Sequence, residues 1–244
     1  MSSIFPKQFT KEPIMIGGYG RSGSYLMLAM LSILPNIFAV PYETRCFSRL
    51  AKDIDEKKLK RIFEKFKIPQ TAIRFCEKTP MNVYWYEETL KYFDGKIKII
   101  NPVRDGRDSI LSRSSSYKYP WAKKEHWTRG MKETKKWDNH PNVYIYKYED
   151  LVTDPENTLR GICNFIGEEY SDRMLEYHKY TPFLDIDKAV FPSIAKNWKK
   201  KAIPISSSSI GRYKKVEGID IQRIEEFMND KEAVEMLKYY DYEV

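Results

Sequence analysis

Hydrophobic residues fall along the chain in two alternating patterns. Short, nearly unbroken apolar runs recur at 13–16, 36–41, 72–76, 96–103 and 142–146. Each has the length of a strand buried on both faces. Between them apolar residues recur at helical spacing. Leu26, Met30, Ile33 and Leu34 share one face of a helix that Pro35 stops. Ile54, Leu59, Ile62, Phe63 and Phe66 do the same within a charged segment, 53–67, whose lysine-rich side reads as a solvated face. Val83, Tyr86 and Leu90 predict a helix over 82–93, ended by Asp94-Gly95. Further helices are predicted through Ile110 and Leu111 into 112–117, over 123–137, and from Asp154-Pro155 through Leu159, Ile162, Phe165 and Ile166. Prolines, Lys199-Lys200-Lys201 and the serines at 206–209 predict an irregular segment over 181–215. A helical tail over 219–240 closes the chain.

Strands alternating with helices predict an α/β fold: one parallel sheet flanked by helices, with ligands outside the carboxyl ends of the strands. No repeat and no linker composition divides the 244 residues, so one domain over 1–244 is expected.

The first strand runs into Gly17-Gly18-Tyr19-Gly20-Arg21-Ser22-Gly23-Ser24-Tyr25-Leu26. A strand, a glycine-rich loop and a helix in that order make a P-loop-like phosphate cradle, in which backbone N–H groups and the helix N-terminus face an anion. A nucleoside-triphosphatase loop would continue Gly-Lys-Ser/Thr. Here Ser24 stands at the lysine position and Tyr25 at the metal-binding hydroxyl. The glycines at 18, 20 and 23 match dinucleotide spacing, but the acid then expected about 20 residues on would be Glu43, which has another use below. An ordinary glycine-rich turn is the plain alternative.

A second basic stretch, Arg104, Arg107, Ser112 and Arg113, follows the strand at 96–103. Arginine forks bind phosphate through paired hydrogen bonds, although these could instead pair with Asp105 and Asp108. Two anion sites suit a nucleotide with phosphates at both ends of its ribose.

The net charge of +8 favours anionic partners without choosing among phosphate cofactors, acidic acceptors, nucleic acid and membrane surface. Cys46, Cys76 and Cys163, and His126, His140 and His178, have no paired spacing, so neither a disulfide framework nor a metal site is expected. The longest apolar stretch, 25–34, is short of the about 20 residues a membrane helix needs. The dozen polar-rich residues before the first strand do not read as a signal peptide, so no leader is expected, and the location expected is cytoplasmic.

Taken together, the two stretches resemble the sulfotransferase family that uses 3′-phosphoadenosine 5′-phosphosulfate (PAPS) and releases adenosine 3′,5′-bisphosphate (PAP). Arg21-Ser22-Gly23-Ser24-Tyr25-Leu26 is similar to its Arg-Ser-Gly-Thr-Thr-Leu signature, and Val103-Arg104-Asp105-Gly106-Arg107 with Ser112 to its second. Glu43-Thr44-Arg45, Lys78-Thr79-Pro80, Tyr148-Glu149-Asp150-Leu151-Val152 and the tail Leu237-Lys238-Tyr239-Tyr240-Asp241-Tyr242 resemble the protein-tyrosine sulfotransferase branch. Tyr25 departs from the family by replacing a small hydroxyl residue.

The resemblance implies a P-loop-like sulfotransferase fold and in-line transfer of a sulfuryl group to a hydroxyl acceptor: a sugar, a tyrosine in an acidic peptide, or a small alcohol. Glu43 is then the general base, Arg45 orients it or the acceptor, and Lys78 stabilises the leaving oxygen. Gly20, Arg21, Ser22, Gly23, Ser24 and Tyr25 hold the 5′ end of the cofactor, and Arg104 with Ser112 the 3′-phosphate. Tyr148 lines the nucleotide site. Ser209 and Arg212, in a late Ser-Gly-Arg segment, add cofactor contacts. For Glu43 the plain alternative is a surface pair with Arg45, and for Lys78 a solvated lysine. Trp85, Trp121, Trp127 and Trp137 read as packing residues. Trp198 could stack a base or touch an acidic acceptor, but a solvated loop is the favoured reading. The rival functions are a kinase on a related fold and a non-catalytic module binding nucleotides or single-stranded nucleic acid; no nucleic-acid partner is expected.

Overall fold

The computed structural model describes residues 4–47, 54–113 and 122–244. Among these, five strands form one parallel sheet: β1 (Ile14–Ile16), β2 (Ile37–Glu43), β3 (Arg74–Lys78), β4 (Lys98–Val103) and β5 (Val143–Lys147). Their order is β2-β3-β1-β4-β5. The helices, in chain order, are α1 (Ser24–Leu31), α2 (Glu56–Lys65), α3 (Tyr86–Tyr92), α4 (Gly106–Leu111), α5 (Lys124–Lys135), α6 (Tyr148–Thr153), α7 (Pro155–Ile166), α8 (Tyr177–Tyr180), α9 (Pro192–Lys201), α10 (Ile219–Met228) and α11 (Lys231–Tyr239).

β1 lies at the centre, with Ile16 level with Lys78 of β3 on one side and Ile100 of β4 on the other. The chain first builds β2 and β3 on one flank, then crosses to β4 and β5 on the other. Connections therefore diverge at the carboxyl end of β1, the place where open parallel sheets bind ligands. The loop after β1, Glu43, Lys78, Arg104 and Tyr148 all stand at that one edge.

One departure from regular pairing matters for the site. β2 and β3 are in register at Ala39–Cys76, yet the next matched pair is Glu43–Lys78. Four residues of β2 advance against two of β3, an irregularity around Pro41, a residue that cannot donate to the ladder. It brings Glu43 beside Lys78.

Several elements differ from the sequence expectations. α1 is not one-sided: Met27 to Leu31 are all buried, while Leu26 and Ile33 are only partly so. The helix is enclosed between the sheet and a layer containing Tyr177, Phe183 and Trp198, so no face is left polar. The helix expected over 82–93 begins earlier, as a 3-10 turn over Pro80–Trp85 that Pro80 starts. α4 stops at Leu111, and Ser112 is extended; residues 114–117 and Trp121 lie outside the described residues. The 181–215 segment holds α9 and 3-10 turns over Pro182–Asp185 and Arg212–Lys215, and is not irregular throughout. The tail is two helices, because the Asp230 carboxylate caps α11 by accepting from the N–H groups of Glu232 and Ala233.

Trp198 needs the plainest correction. It is 2% exposed, packs 4.5 Å from the Phe183 ring, and donates its indole N–H to the Pro41 carbonyl at 2.6 Å. It is neither a solvated-loop residue nor an exposed stacking platform.

Candidate active site

The loop after β1 folds as the glycine pattern requires. Gly23 stands at φ 88, just before α1, and a Cβ there would come within 2.4 Å of the Tyr148 ring. No other residue offers both the left-handed backbone and the space. Arg21 adopts φ 75 without being glycine, a conformation held by its neighbours. Ser22 is buried and donates to the Tyr19 carbonyl at 2.6 Å, closing the turn. Gly20 and Ser24 are buried beside it.

The two signatures meet. The Arg104 guanidinium donates to the Arg21 carbonyl at 3.0 Å and to the Ser209 carbonyl at 2.8 Å. Arg21 in turn donates to Ser112 Oγ at 2.8 Å and to the Arg113 carbonyl at 3.1 Å. Arg104 lies 4.5 Å over the Tyr148 ring, whose hydroxyl is 2.7 Å from Ser209 Oγ. Arg21, Ser112, Arg104, Tyr148 and Ser209 thus form one cluster, drawn from positions up to 188 residues apart. Arg212 is exposed at its edge, where it and Arg113 line a cleft of about 470 Å³.

The charge balance is unusual. Among the described residues neither Arg21 nor Arg104 forms an ion pair; their visible partners are neutral oxygens. Arg104 Nε is buried with no partner. Burial, then Arg104 and Arg212, lower the Arg21 pKa. Arg107 behaves otherwise: it pairs with Asp105 at 2.7 Å and covers the Tyr213 ring, so it is a structural residue rather than a phosphate ligand. Arg113 pairs with Asp220 at 2.9 Å.

A second cluster stands at the ends of β2 and β3. Lys78 Nζ is 2.9 Å from Glu43 Oε1, and its side chain is 0% exposed. Arg45 approaches the other Glu43 oxygen at 3.7 Å with its side chain mostly in solvent. Glu43 is therefore not a simple surface pair, and Lys78 is not solvated. The Tyr25 ring lies against two ammonium groups, Lys78 at 3.1 Å and Lys201 at 3.3 Å from its centroid. Tyr25 supplies a cation-facing ring where the family pattern has a small hydroxyl.

Burial pushes the Lys78 ammonium down to about 7, against the pull of Glu43. Burial alone would raise the Glu43 carboxyl, but Lys78, Arg45 and Lys201 outweigh it and hold it below the usual carboxylate range. Enclosure of its ammonium end pushes Lys201 down to about 8.

Supporting residues escaped the sequence reading. Glu77 is buried under the site, accepting from Thr44 at 2.6 Å, from Thr79 at 3.0 Å and from Asn82; burial pushes its carboxyl up to about 7. Thr79 also accepts the Arg45 N–H at 3.0 Å, so Glu77 fixes the turn that carries Arg45. Asp108 accepts from the N–H groups of Gly211 and Tyr213, holding the late segment against α4. Trp127 donates to the Arg104 carbonyl at 3.0 Å. An acid inside the run Arg74-Phe75-Cys76-Glu77-Lys78 was a signal for Glu77. Nothing in the Lys199-Lys200-Lys201 run singled out Lys201.

Comparison with known proteins agrees with this geometry. The model of a family described as the sulfotransferase family matches residues 53–172. A protein-tyrosine sulfotransferase of Drosophila melanogaster is 27% identical over 203 residues, covering 68% of this chain and 40% of that protein. The chain thus spans well under two thirds of that relative's length. Among solved structures, the sulfotransferase domain of the Synechococcus PCC 7002 olefin synthase superposes with a TM-score of 0.60 at 17% identity, covering 98% of each chain. A mouse sulfotransferase complexed with PAP gives 0.54 at 16% identity, covering 93% of this chain and 89% of that one. At these identities the structural likeness shows the fold: a parallel sheet flanked by helices with a P-loop-like turn. Among the described residues no helix is long and apolar enough to cross a membrane, and no group of three His, Cys, Asp or Glu could hold a metal.

Proposed function

We propose that this chain, a member of the sulfotransferase family on its protein-tyrosine side, moves a sulfuryl group from PAPS to a hydroxyl acceptor. The observation that carries this reading is that Arg21 and Arg104, joined across the loop after β1, make no direct ion pair among the described residues, while Tyr25 of the same loop lies against Lys78 of the Glu43–Lys78 pair. Guanidiniums whose hydrogen bonds go to neutral oxygens keep donor capacity and charge for an incoming anion. The partnerless Nε of Arg104 is a further sign that the cluster fits a phosphate group.

In this reading Arg104 and Ser112 hold the 3′-phosphate and Arg212 rims it. The N–H groups from Gly20 to Tyr25, with the Arg21 and Ser24 side chains, hold the 5′ end. Tyr148 and Ser209 wall the nucleotide. When bound, PAPS supplies an electrophilic sulfur, whose bond to the 5′-phosphate oxygen breaks as the bond to the acceptor oxygen forms. Glu43 takes the acceptor proton, and Arg45 steadies its second oxygen. Lys78 meets the charge developing on the departing phosphate oxygen. The two roles are linked. A carboxylate held low is ionised at neutral pH but is a weak base. When Lys78 turns from Glu43 toward the leaving oxygen, Glu43 loses its nearest cation and becomes more basic as the proton moves.

The acceptor proposed is a tyrosine hydroxyl flanked by acidic residues, in keeping with the protein-tyrosine relative and the charge of +8. Incubation with ³⁵S-labelled PAPS and a panel of acidic tyrosine peptides, glycans and phenols tests this. Label on tyrosine peptides is the expected result; label confined to glycans or phenols changes the acceptor, and label on none removes the reading.

A further inference from the structure

We propose that Lys201, at the end of α9, is a second cation that contacts the transferred sulfuryl group itself, a role that rests on the sulfotransferase reading above. Three observations place it. Trp198 ties α9 to β2 through its bond to the Pro41 carbonyl, two residues before Glu43. Lys201 follows Trp198 by three residues, so it lies on the same side of the helix one turn on. Trp198 also packs edge-on to Tyr25 at 5.8 Å, and the Lys201 ammonium rests on that same Tyr25 ring.

The arrangement exceeds what a helix end requires. Lysines in a last turn favour the helix dipole simply by being there, and Lys199, Lys200 and Lys201 are all exposed at the end of α9. Lys201 in addition bends onto a ring that also carries Lys78. One carboxylate, Glu43, serves this corner, and its oxygens are engaged by Lys78 and Arg45. Among the described residues Lys201 forms no ion pair. A cation beside the base, beside the first turn of α1 and without an anion of its own is placed for the group that passes between them. Tyr25 contributes the surface that holds both ammoniums, which gives its departure from the small hydroxyl pattern a function.

PAPS and PAP differ by the sulfuryl group, so their affinities separate this role from phosphate binding. Calorimetry with each nucleotide on wild type, Lys201→Met, Lys201→Arg and Tyr25→Leu is the test. Lys201→Met is expected to bind PAPS about tenfold more weakly, the loss of one charge-assisted contact. PAP affinity should stay within about twofold and the melting temperature unchanged. Lys201→Arg should restore most of the PAPS affinity, and Tyr25→Leu should lose it in the same direction as Lys201→Met. Equal losses for PAPS and PAP would put Lys201 on the phosphate and overturn the proposal. So would unchanged affinity for both, which would leave Lys201 a helix-end residue. A wild type that binds neither nucleotide would instead remove the underlying sulfotransferase reading, and this proposal with it.

Discussion

The two ends of the site handle positive charge in opposite ways. At the proposed nucleotide end, Arg21 and Arg104 bond to the carbonyls of Arg113, Arg21 and Ser209 and to the Ser112 hydroxyl, with no direct ion pair among the described residues. At the transfer end, Lys78 is neutralised by Glu43 at 2.9 Å and covered by the Tyr25 ring. In the proposed reading the first arrangement binds an anion and does nothing else to it. In the same reading the second holds Lys78 and the proposed base Glu43 against each other until something separates them. Guanidiniums suit the first task because they stay charged, and a buried ammonium suits the second because its charge is adjustable.

The largest effect should come at the transfer end. Glu43→Gln is expected to lower kcat by roughly 10²–10⁴-fold, the range for a lost general base, with PAP affinity within about twofold of wild type by calorimetry. Retained turnover would take the base role from Glu43. Arg104→Ala should do the reverse, weakening PAP binding by roughly 10–100-fold while leaving kcat at saturating PAPS much closer to wild type. A variant that damaged both quantities equally would erase the division between the ends.

The pH profile tests the adjustable ammonium. In the proposed mechanism Lys78 must be charged to assist the leaving oxygen, and burial pushes its ammonium down to about 7. As pH rises through about 7 the ammonium loses its proton, so kcat/KM should fall on the alkaline side. Glu43, held low by Lys78, Arg45 and Lys201, puts the acid limb below the usual carboxylate range. Lys78→Arg, whose charge does not titrate there, should abolish the alkaline limb even at reduced rate. The smallest effect belongs to Ser112→Ala, which removes one hydroxyl that accepts from the Arg21 guanidinium; PAP affinity should drop by roughly 2- to 10-fold.

How much of this could be read from the chain depended on range. Both signatures are continuous in sequence, and the alternation of apolar runs with helical spacing placed all five strands and the loop after β1. Glu43 and Lys78 were found as separate motifs. Their contact was not visible, because it depends on the irregular pairing around Pro41. α1 looked one-sided because its full enclosure needs Tyr177, Phe183 and Trp198, which arrive more than 140 residues later. The same contacts explain the misreading of α9. Its lysine run is solvent-facing chemistry in isolation, and its buried side is defined by the distant Pro41 carbonyl and Phe183 ring. Tyr148, Ser209 and Arg104 were proposed from different segments, and their convergence rests on Asp108 holding the Gly211 and Tyr213 N–H groups, a long-range link no local pattern encodes.

The central claim is that one nucleotide bridges the loop after β1 and the start of α4, held by guanidiniums, hydroxyls and backbone N–H groups without a divalent ion. Calorimetric titration of PAP into the wild-type chain in the presence of EDTA measures this most directly. The account predicts saturable one-to-one binding that is unchanged by magnesium, with far weaker binding of ATP. Failure to bind PAP without a divalent ion, or tighter binding of magnesium ATP, would contradict it.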